Sequence, residues 1–413
     1  MKNYSFWALL SAQFLTLSLF LPTRFGGLGA IIFCFVSVIG LITKQYRIKN
    51  LQVLWVFPLI FLVLMIGASY AENTAEAFKL IERNLSFILF PFLAQSVTIF
   101  SHKQWKILFY TYLLSAFVIS SYCIFLAFNT YLETGSTSIN NSDHFIYNIF
   151  MHQRLTAPIG IHAIYLNSFI SFGGIMSINK LVKQWRSLKR TEVIFLIAYL
   201  IFNGVMMYLL KSSILAAAVP FVLVVIHFKK IKRFVFASNL KMGIALLLLV
   251  VSSLFFYSII KTKLGNFEIK KDYSAESIGP LNIRLAIWEG AFGVIQKNWI
   301  IGVGTGNLEE PILKEFSEIN FTEGINSKYN AHNMFLQYWA MNGLPGIISF
   351  LLLLICIIYW SIKKGNNELL ALVILFAIFS ITESTLQTQR GILFFGFLCA
   401  TLYWKDYPKN LLK

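Results

Sequence analysis

The stretch KYNAHNMFLQYWAMNGLPG, residues 328 to 346, sets a histidine beside an asparagine, His332 and Asn333, just ahead of the apolar run LLLLICIIYW. An imidazole side chain, with an ordinary pKa of about 6.5 and two ring nitrogens of different role, suits proton transfer near neutral pH. Cations accompany it at the ends of other apolar segments: Arg24, Lys79, Arg83, Arg154, Lys211 and Arg390, with Arg284 in a long polar loop. A Lys or Arg at mid-bilayer costs roughly 2.5 to 3.5 kcal/mol on insertion scales, so each of these either snorkels to the interface or has a function. Lys211 has almost no loop to occupy in MMYLLKSSILAAA. Snorkelling accounts for any one of the cations, but less well for Arg24, Arg83, Arg154, Lys211, Arg284 and Arg390 all ending at one face. A convergent set of this kind is what clasps a lipid-borne diphosphate, whose oxygens an Arg fork meets two at a time. No DxD or HxxE pattern stands on that side, and Glu309 and Glu310 are adjacent, so a helix would not aim both at one ion. Neither a metal nor another cofactor is expected.

The elements that must position these residues are membrane helices. Of 413 residues, 57% are hydrophobic and 13% charged, with a mean hydropathy of +0.69, outside the range of soluble domains. A helical span takes about 20 mostly apolar residues. About twelve segments qualify, near 6 to 21, 25 to 43, 51 to 69, 84 to 100, 106 to 129, 155 to 178, 192 to 210, 212 to 228, 241 to 260, 344 to 361, 368 to 383 and 391 to 404. No small-residue cleavage site follows the first, so it reads as a retained helix. The predicted fold is all-α and polytopic. The basic breaks KQYRIK, SHKQWK, KLVKQWRSLKR, KKIKR and KKGNN and the C-terminal tail all fall on one side of that topology, which makes it the cytoplasmic side and puts both termini there. The net charge of +17 therefore reports topology and contact with membrane lipids, not nucleic-acid binding. Cys34, Cys123, Cys356 and Cys399 lie within apolar segments and imply neither disulfide nor metal site.

Three regions are expected: an N-terminal bundle of about nine helices over 1 to 260, a large outer loop over 261 to 331, and a C-terminal bundle of about three helices over 332 to 413. A second, smaller outer loop covers 130 to 154. Within the large loop, Ile283, Ile287, Ala291 and Val294 recur at helical spacing after Pro280, which predicts an amphipathic helix over 280 to 298 on the outer face. The following GVGTG lacks the preceding strand and the trailing Lys-Ser/Thr of a phosphate loop and reads as a tight turn. The GLPG at 343 to 346 should break or kink the chain, leaving a short interfacial helix with His332 at its N-terminal end.

Taken together, RLAIWEGAFGVIQKNWIIGVGTGNL and AHNMFLQYWAMNGLPGIISFLLLL resemble the Wzy/WaaL superfamily of bacterial membrane glycosyltransferases, the O-antigen ligases and polymerases. The residues that carry the resemblance are Arg284 and Trp288, then Gly302, Gly304 and Asn307, then His332, Asn333, Gly343 and Gly346. ITESTLQTQRGILFFGFL, with Glu383 and Arg390, looks like the family's last helix pair. LIERNLSFILFPFL and IGIHAIYLNSF, with Arg83, His162 and Tyr165, are weaker matches. YLLKSSIL departs from the family: Lys211 stands where an Arg is usual, keeping the charge without the bidentate fork.

The resemblance implies a GT-C-like fold and metal-independent, inverting glycan transfer from an undecaprenyl-diphosphate carrier, at the periplasmic face of the inner membrane. The acceptor would be a hydroxyl of the lipid A core for a ligase, or of a second lipid-linked glycan for a polymerase. His332 would accept or orient the acceptor proton with Asn333 in support. Arg284, with Lys211 and some of Arg24, Arg83, Arg154 and Arg390, would neutralise the leaving diphosphate. Glu383 would bind substrate. Trp288, Tyr329, Tyr338 and Trp339 are candidates for stacking on sugar rings, with an interfacial aromatic belt as the alternative. Two rivals stay open: a flippase of lipid-linked sugars, although no internal repeat supports it, and glycan transfer to a protein side chain.

Overall fold

In a bilayer an apolar run of this length satisfies its backbone only as a helix. The computed structural model describes residues 2–48, 55–140, 146–210, 218–227, 273 and 280–405. Its helices are α1 (Lys2–Ser18), α2 (Thr23–Ile42), α3 (Val56–Ser69), α4 (Thr74–Leu93), α5 (His102–Thr134), α6 (His152–Thr156), α7 (Ala163–Gln184), α8 (Arg190–Leu209), α9 (Ala218–His227), α10 (Pro280–Asn298), α11 (Glu309–Glu318), α12 (Thr322–Asn326), α13 (Met334–Lys364), α14 (Asn367–Ser380) and α15 (Gln389–Lys405). The chain is an all-α membrane protein. Among the described residues, α2, α5, α8 and α13 are long and apolar enough to cross a membrane; α6 with its following turn and α7, bent by 90° between them, are so only when taken together. The expected segment at 241 to 260 lies outside the described residues, as does Lys211. One local departure from the helical expectation is a pair of short strands in the smaller of the predicted outer loops, where Ser138–Asn140 pairs antiparallel with Ile146–Asn148.

Lipid tails are as apolar as leucine, so burial cannot hold these helices together and close packing with polar cross-links must. The outward faces are the apolar ones. Ile194, Ile197, Ile201, Val205 and Tyr208 form an exposed stripe along α8 at helical spacing. Inside, Phe33 meets Phe90 and Phe397 edge-on, and Phe376 stacks on Phe395 at 3.9 Å. Buried polar side chains bridge helices: Tyr112 Oη donates to the Phe169 carbonyl (2.7 Å), Asn203 Nδ2 to Ile170 (2.7 Å) and Trp404 Nε1 to Pro91 (3.0 Å).

The segment from 280 onward, part of the predicted outer loop, builds a smaller core of its own. Ile287, Ala291 and Val294 are buried and Ile283 is half-buried, as their spacing predicts, and α10 packs them against Ile312, Phe316 and Phe321 of α11 and its following turn. The glycine-rich turn then fastens this core to the membrane helices. The N–H groups of Val303 and Gly304 donate to the carbonyls of Ala340 and Met341 (3.0 and 2.8 Å), and that of Thr305 to Gly67 (3.0 Å). Thr305 Oγ1 donates to the Leu64 carbonyl (2.9 Å) and accepts from Asn342 Nδ2 (2.8 Å). Asn307 Oδ1 accepts the N–H of Asn73 ahead of α4 (2.8 Å). GVGTGN is thus a tight turn, as its sequence predicts, and it acts as a strap.

Glycine is required on both sides where the strap meets the break in α13. Gly343 breaks α13 with φ 60° and ψ −150°, a backbone region essentially closed to other residues, and the N–H of Leu344 beyond it donates to the Ile300 carbonyl (2.9 Å). Gly302, at φ 72°, lies so close that a β-carbon there would stand 2.5 Å from the Gly343 nitrogen. Gly302→Ala and Gly343→Ala are each expected to lower the stability of the detergent-solubilised protein by about 2 to 4 kcal/mol, the range for a strained backbone plus a displaced neighbour. Thermal unfolding checks this; wild-type midpoints in both variants would show that the strap carries no load.

Candidate active site

His332 owes its position to the residues on either side of it. Asn333 caps α13: its Oδ1 accepts the N–H groups of Phe335 (2.9 Å) and Leu336 (3.2 Å), which would otherwise lack partners in the first helical turn. Asn330 Oδ1 accepts the N–H of His332 itself (2.9 Å). Between them His332 adopts φ 40°, a left-handed conformation that costs a residue with a β-carbon roughly 1 to 2 kcal/mol. Tyr329 meets the imidazole edge-on, with ring centroids 5.5 Å apart. The ring is part-exposed, and its Nδ1 lies 3.5 Å from Oε2 of the buried Glu383.

Glu383 belongs to the turn between α14 and α15, residues 381 to 388, where several elements meet. Ser384 Oγ reaches Asn330 Oδ1 (3.2 Å) and Gln337 Oε1 (3.4 Å), and Gln337 Oε1 also accepts the N–H of Ala331 (3.1 Å). Thr388 Oγ1 donates to the Tyr165 hydroxyl on α7 (2.9 Å). The Gln387 carbonyl accepts from Arg83 Nη1 on α4 (3.4 Å). Arg390, two residues past the turn, donates to the carbonyls of Gly160 (2.5 Å) and Leu21 (3.4 Å), tying together the loops ahead of α7 and α2.

His162 stands at the corner between α6 and α7, near His152 and Tyr165. Glu383, His332 and Arg284 all lie close enough to act on its charge. One electrostatic neighbourhood therefore holds His162, Glu383, His332 and Arg284, from four separate stretches of chain. Arg284 is half-buried in the second turn of α10, and among the described residues no carboxylate pairs with it.

The other cations differ in how they are engaged. Arg83 lies 3.7 Å from Glu76, which also pairs with Lys79 at 3.1 Å. Both Nη nitrogens of Arg390 serve backbone carbonyls, so its role in this arrangement is to staple loops. Arg24 is exposed at the start of α2, with its guanidinium 5.2 Å from the Phe25 ring centre. Arg154 is half-buried on α6, beside Gln153, whose side chain accepts the first N–H of α7 (3.0 Å). Of the aromatic candidates, Tyr338 is buried against Phe350 and cannot present a face to a sugar. Trp288 is half-buried on the smaller core, Trp339 donates to the Trp299 carbonyl (3.2 Å), and Tyr329 faces His332.

Asn330, Gln337 and Ser384 are not among the site residues that the sequence predicts, although Gln337 shares a helix face with Asn333. The signals for them are slight. Asn330 precedes His332 by two, the spacing of an Asx turn, and Gln337 is a polar residue one helical turn from Asn333 that turns out to be buried.

The arrangement can do two things chemically. A part-exposed imidazole backed by a buried carboxylate can take up a proton, and a guanidinium with no ion pair among the described residues can meet an anion. The O-antigen ligase family model Wzy_C matches residues 195–351, from α8 to the first half of α13. The match contains Arg284, Trp288, His332 and Asn333 and stops short of Glu383 and Arg390. No curated protein matches the chain.

Proposed function

We propose, from the premise that the chain belongs to the Wzy/WaaL superfamily of O-antigen ligases and polymerases, that it is an O-antigen ligase. It moves a glycan from an undecaprenyl-diphosphate carrier to a hydroxyl of the lipid A core at the periplasmic face of the inner membrane. The acceptor oxygen attacks the anomeric carbon opposite the diphosphate, and the bond from that carbon to the phosphate oxygen breaks with inversion. The bonding pair leaves with the diphosphate. The hydroxyl proton passes to His332, an acid–base step worth about 10²- to 10⁴-fold in rate. Arg284 meets the negative charge that develops on the leaving diphosphate, with Lys211 and those of Arg24, Arg83 and Arg154 that reach the carrier completing the clamp.

The observation that supports this reading is that His332 and the buried Glu383 lie 3.5 Å apart and that both, with Arg284, act on the charge of His162 from stretches far apart in sequence. A lipid-linked donor and a lipid-anchored acceptor both reach such a site from the membrane. The test is to delete the gene and examine the surface glycans of the cell. Uncapped core with lipid-linked polymer accumulating is the expected result. A single repeat unit on the core would identify a polymerase instead, and unchanged surface glycans would overturn both readings.

A further inference from the structure

We propose that Glu383 is a positioning residue for His332: its carboxylate accepts the Nδ1 proton, so that the Nε2 lone pair faces the acceptor hydroxyl. This rests on the reading of His332 as the proton acceptor and departs from the sequence-based expectation that Glu383 binds substrate. Glu383 is 7% exposed, and its Oε2 lies 3.5 Å from His332 Nδ1. A buried carboxylate needs a partner, because an uncompensated charge in a low-dielectric site is costly. Among the described residues, His332 is the one group within ion-pair distance of Glu383.

The register between the two residues is set again by the side chains around them, where the one hydroxyl proton of Ser384 has two acceptors within reach. Asn330 Oδ1 holds both the N–H of His332 (2.9 Å) and the hydroxyl of Ser384 (3.2 Å), the neighbour of Glu383. Gln337 Oε1 holds both the N–H of Ala331 (3.1 Å) and the same hydroxyl (3.4 Å). One strained residue at φ 40° is thus clamped to one turn through its side chain and its main chain. Strain of this kind persists where the surroundings over-determine a geometry that function needs. The neutral imidazole has one N–H and one lone pair, and the partner of the first decides where the second points. With Nδ1–H turned to Glu383, Nε2 takes the acceptor's proton, the carboxylate stabilises the imidazolium that forms, and the proton later leaves from Nε2 to water. His162 and Arg284 lie in the same field.

The test uses full-length protein in proteoliposomes, with lipid-linked glycan as donor and lipid A-core as acceptor. Glu383→Gln keeps the shape and removes the charge. Its kcat is expected to fall about 10²- to 10³-fold with acceptor KM changed less than about threefold, because an orienting carboxylate acts on the proton transfer. Glu383→Asp, with the carboxylate drawn back, is expected to recover part of that loss. In the double variant with His332→Gln the losses should not add, since without the imidazole there is nothing left to orient. A rise in KM at wild-type kcat would make Glu383 a substrate-binding residue and overturn the proposal, as would additive losses. Should Glu383→Gln fail to insert, Glu383→Asp carries the measurement, and wild-type kcat there overturns it. If His332→Gln alone keeps wild-type activity, it is the assignment of His332 as proton acceptor that fails, whatever Glu383 does.

Discussion

His332→Ala is expected to insert into the membrane at wild-type yield and to transfer glycan about 10²- to 10⁴-fold more slowly, the usual contribution of a positioned acid–base group. That loss corresponds to about 2.7 to 5.4 kcal/mol of transition-state stabilisation. Folding should survive because His332 precedes the cap of α13, its side chain is 29% exposed, and the N–H that Asn330 holds belongs to the backbone. The left-handed φ of 40° is the one conformational concern, since alanine tolerates it less well than asparagine does. His332→Asn therefore serves as the paired variant: it suits the backbone, has no titratable nitrogen, and should lose as much activity as His332→Ala. Single-turnover transfer at saturating donor and acceptor separates the chemical step from binding. Activity within about threefold of wild type in both variants would leave the proton without an acceptor at this position and would sink the assignment.

The membrane helices were legible because the bilayer reduces the choice of structure to one. Apolar length alone placed α1 to α5, α7, α8 and α13 to α15 on the marked segments, and Gly343 with Pro345 foretold the break in α13. Two features escaped. The short strands Ser138–Asn140 and Ile146–Asn148 pair through residues whose alternation covers only three positions on each side. The strap was recognised as a turn, but its partners, Gly67, Ala340 and Met341, bond through backbone groups that every sequence has.

For the site, what was legible was chemistry out of place. His332 and Arg390 stand out in the sequence because an ionisable residue beside an apolar run is expensive and so conspicuous, whereas Arg284 and Glu383 are carried by the stretches that resemble the family. Which role each plays was not legible, since role depends on what lies opposite. Glu383 reads from sequence as a substrate ligand and faces an imidazole in the fold. Arg390 reads as a phosphate ligand and serves two carbonyls. Asn330, Gln337 and Ser384 are common polar residues, and only the fold distinguishes them, by bringing the start of α13 and the loop ahead of it against the turn between α14 and α15.

Arg284→Ala is expected to lower kcat about 10²- to 10³-fold, the scale seen when one group that stabilises developing negative charge is removed. Arg83 lies beside Glu76 and Arg390 holds main-chain carbonyls, whereas Arg284 has no carboxylate partner among the described residues and lies in the field shared by His162, His332 and Glu383. A charged group left in that state, half-buried on a well-packed helix, is available to an incoming anion. Its side chain also adds little to the smaller core, which α10 fills with Ile287, Ala291 and Val294, so the variant should fold. Arg284→Lys then divides charge from geometry. A point charge would recover most of the activity if neutralisation alone mattered. If the fork clasps two phosphate oxygens, the lysine variant should remain at least about tenfold below wild type. Because the charge on the leaving diphosphate grows as the bond to the sugar breaks, the loss should fall on kcat more than on donor KM. A rise in donor KM at unchanged kcat would instead make Arg284 a docking residue for the carrier and leave the departing charge to Lys211 and its neighbours.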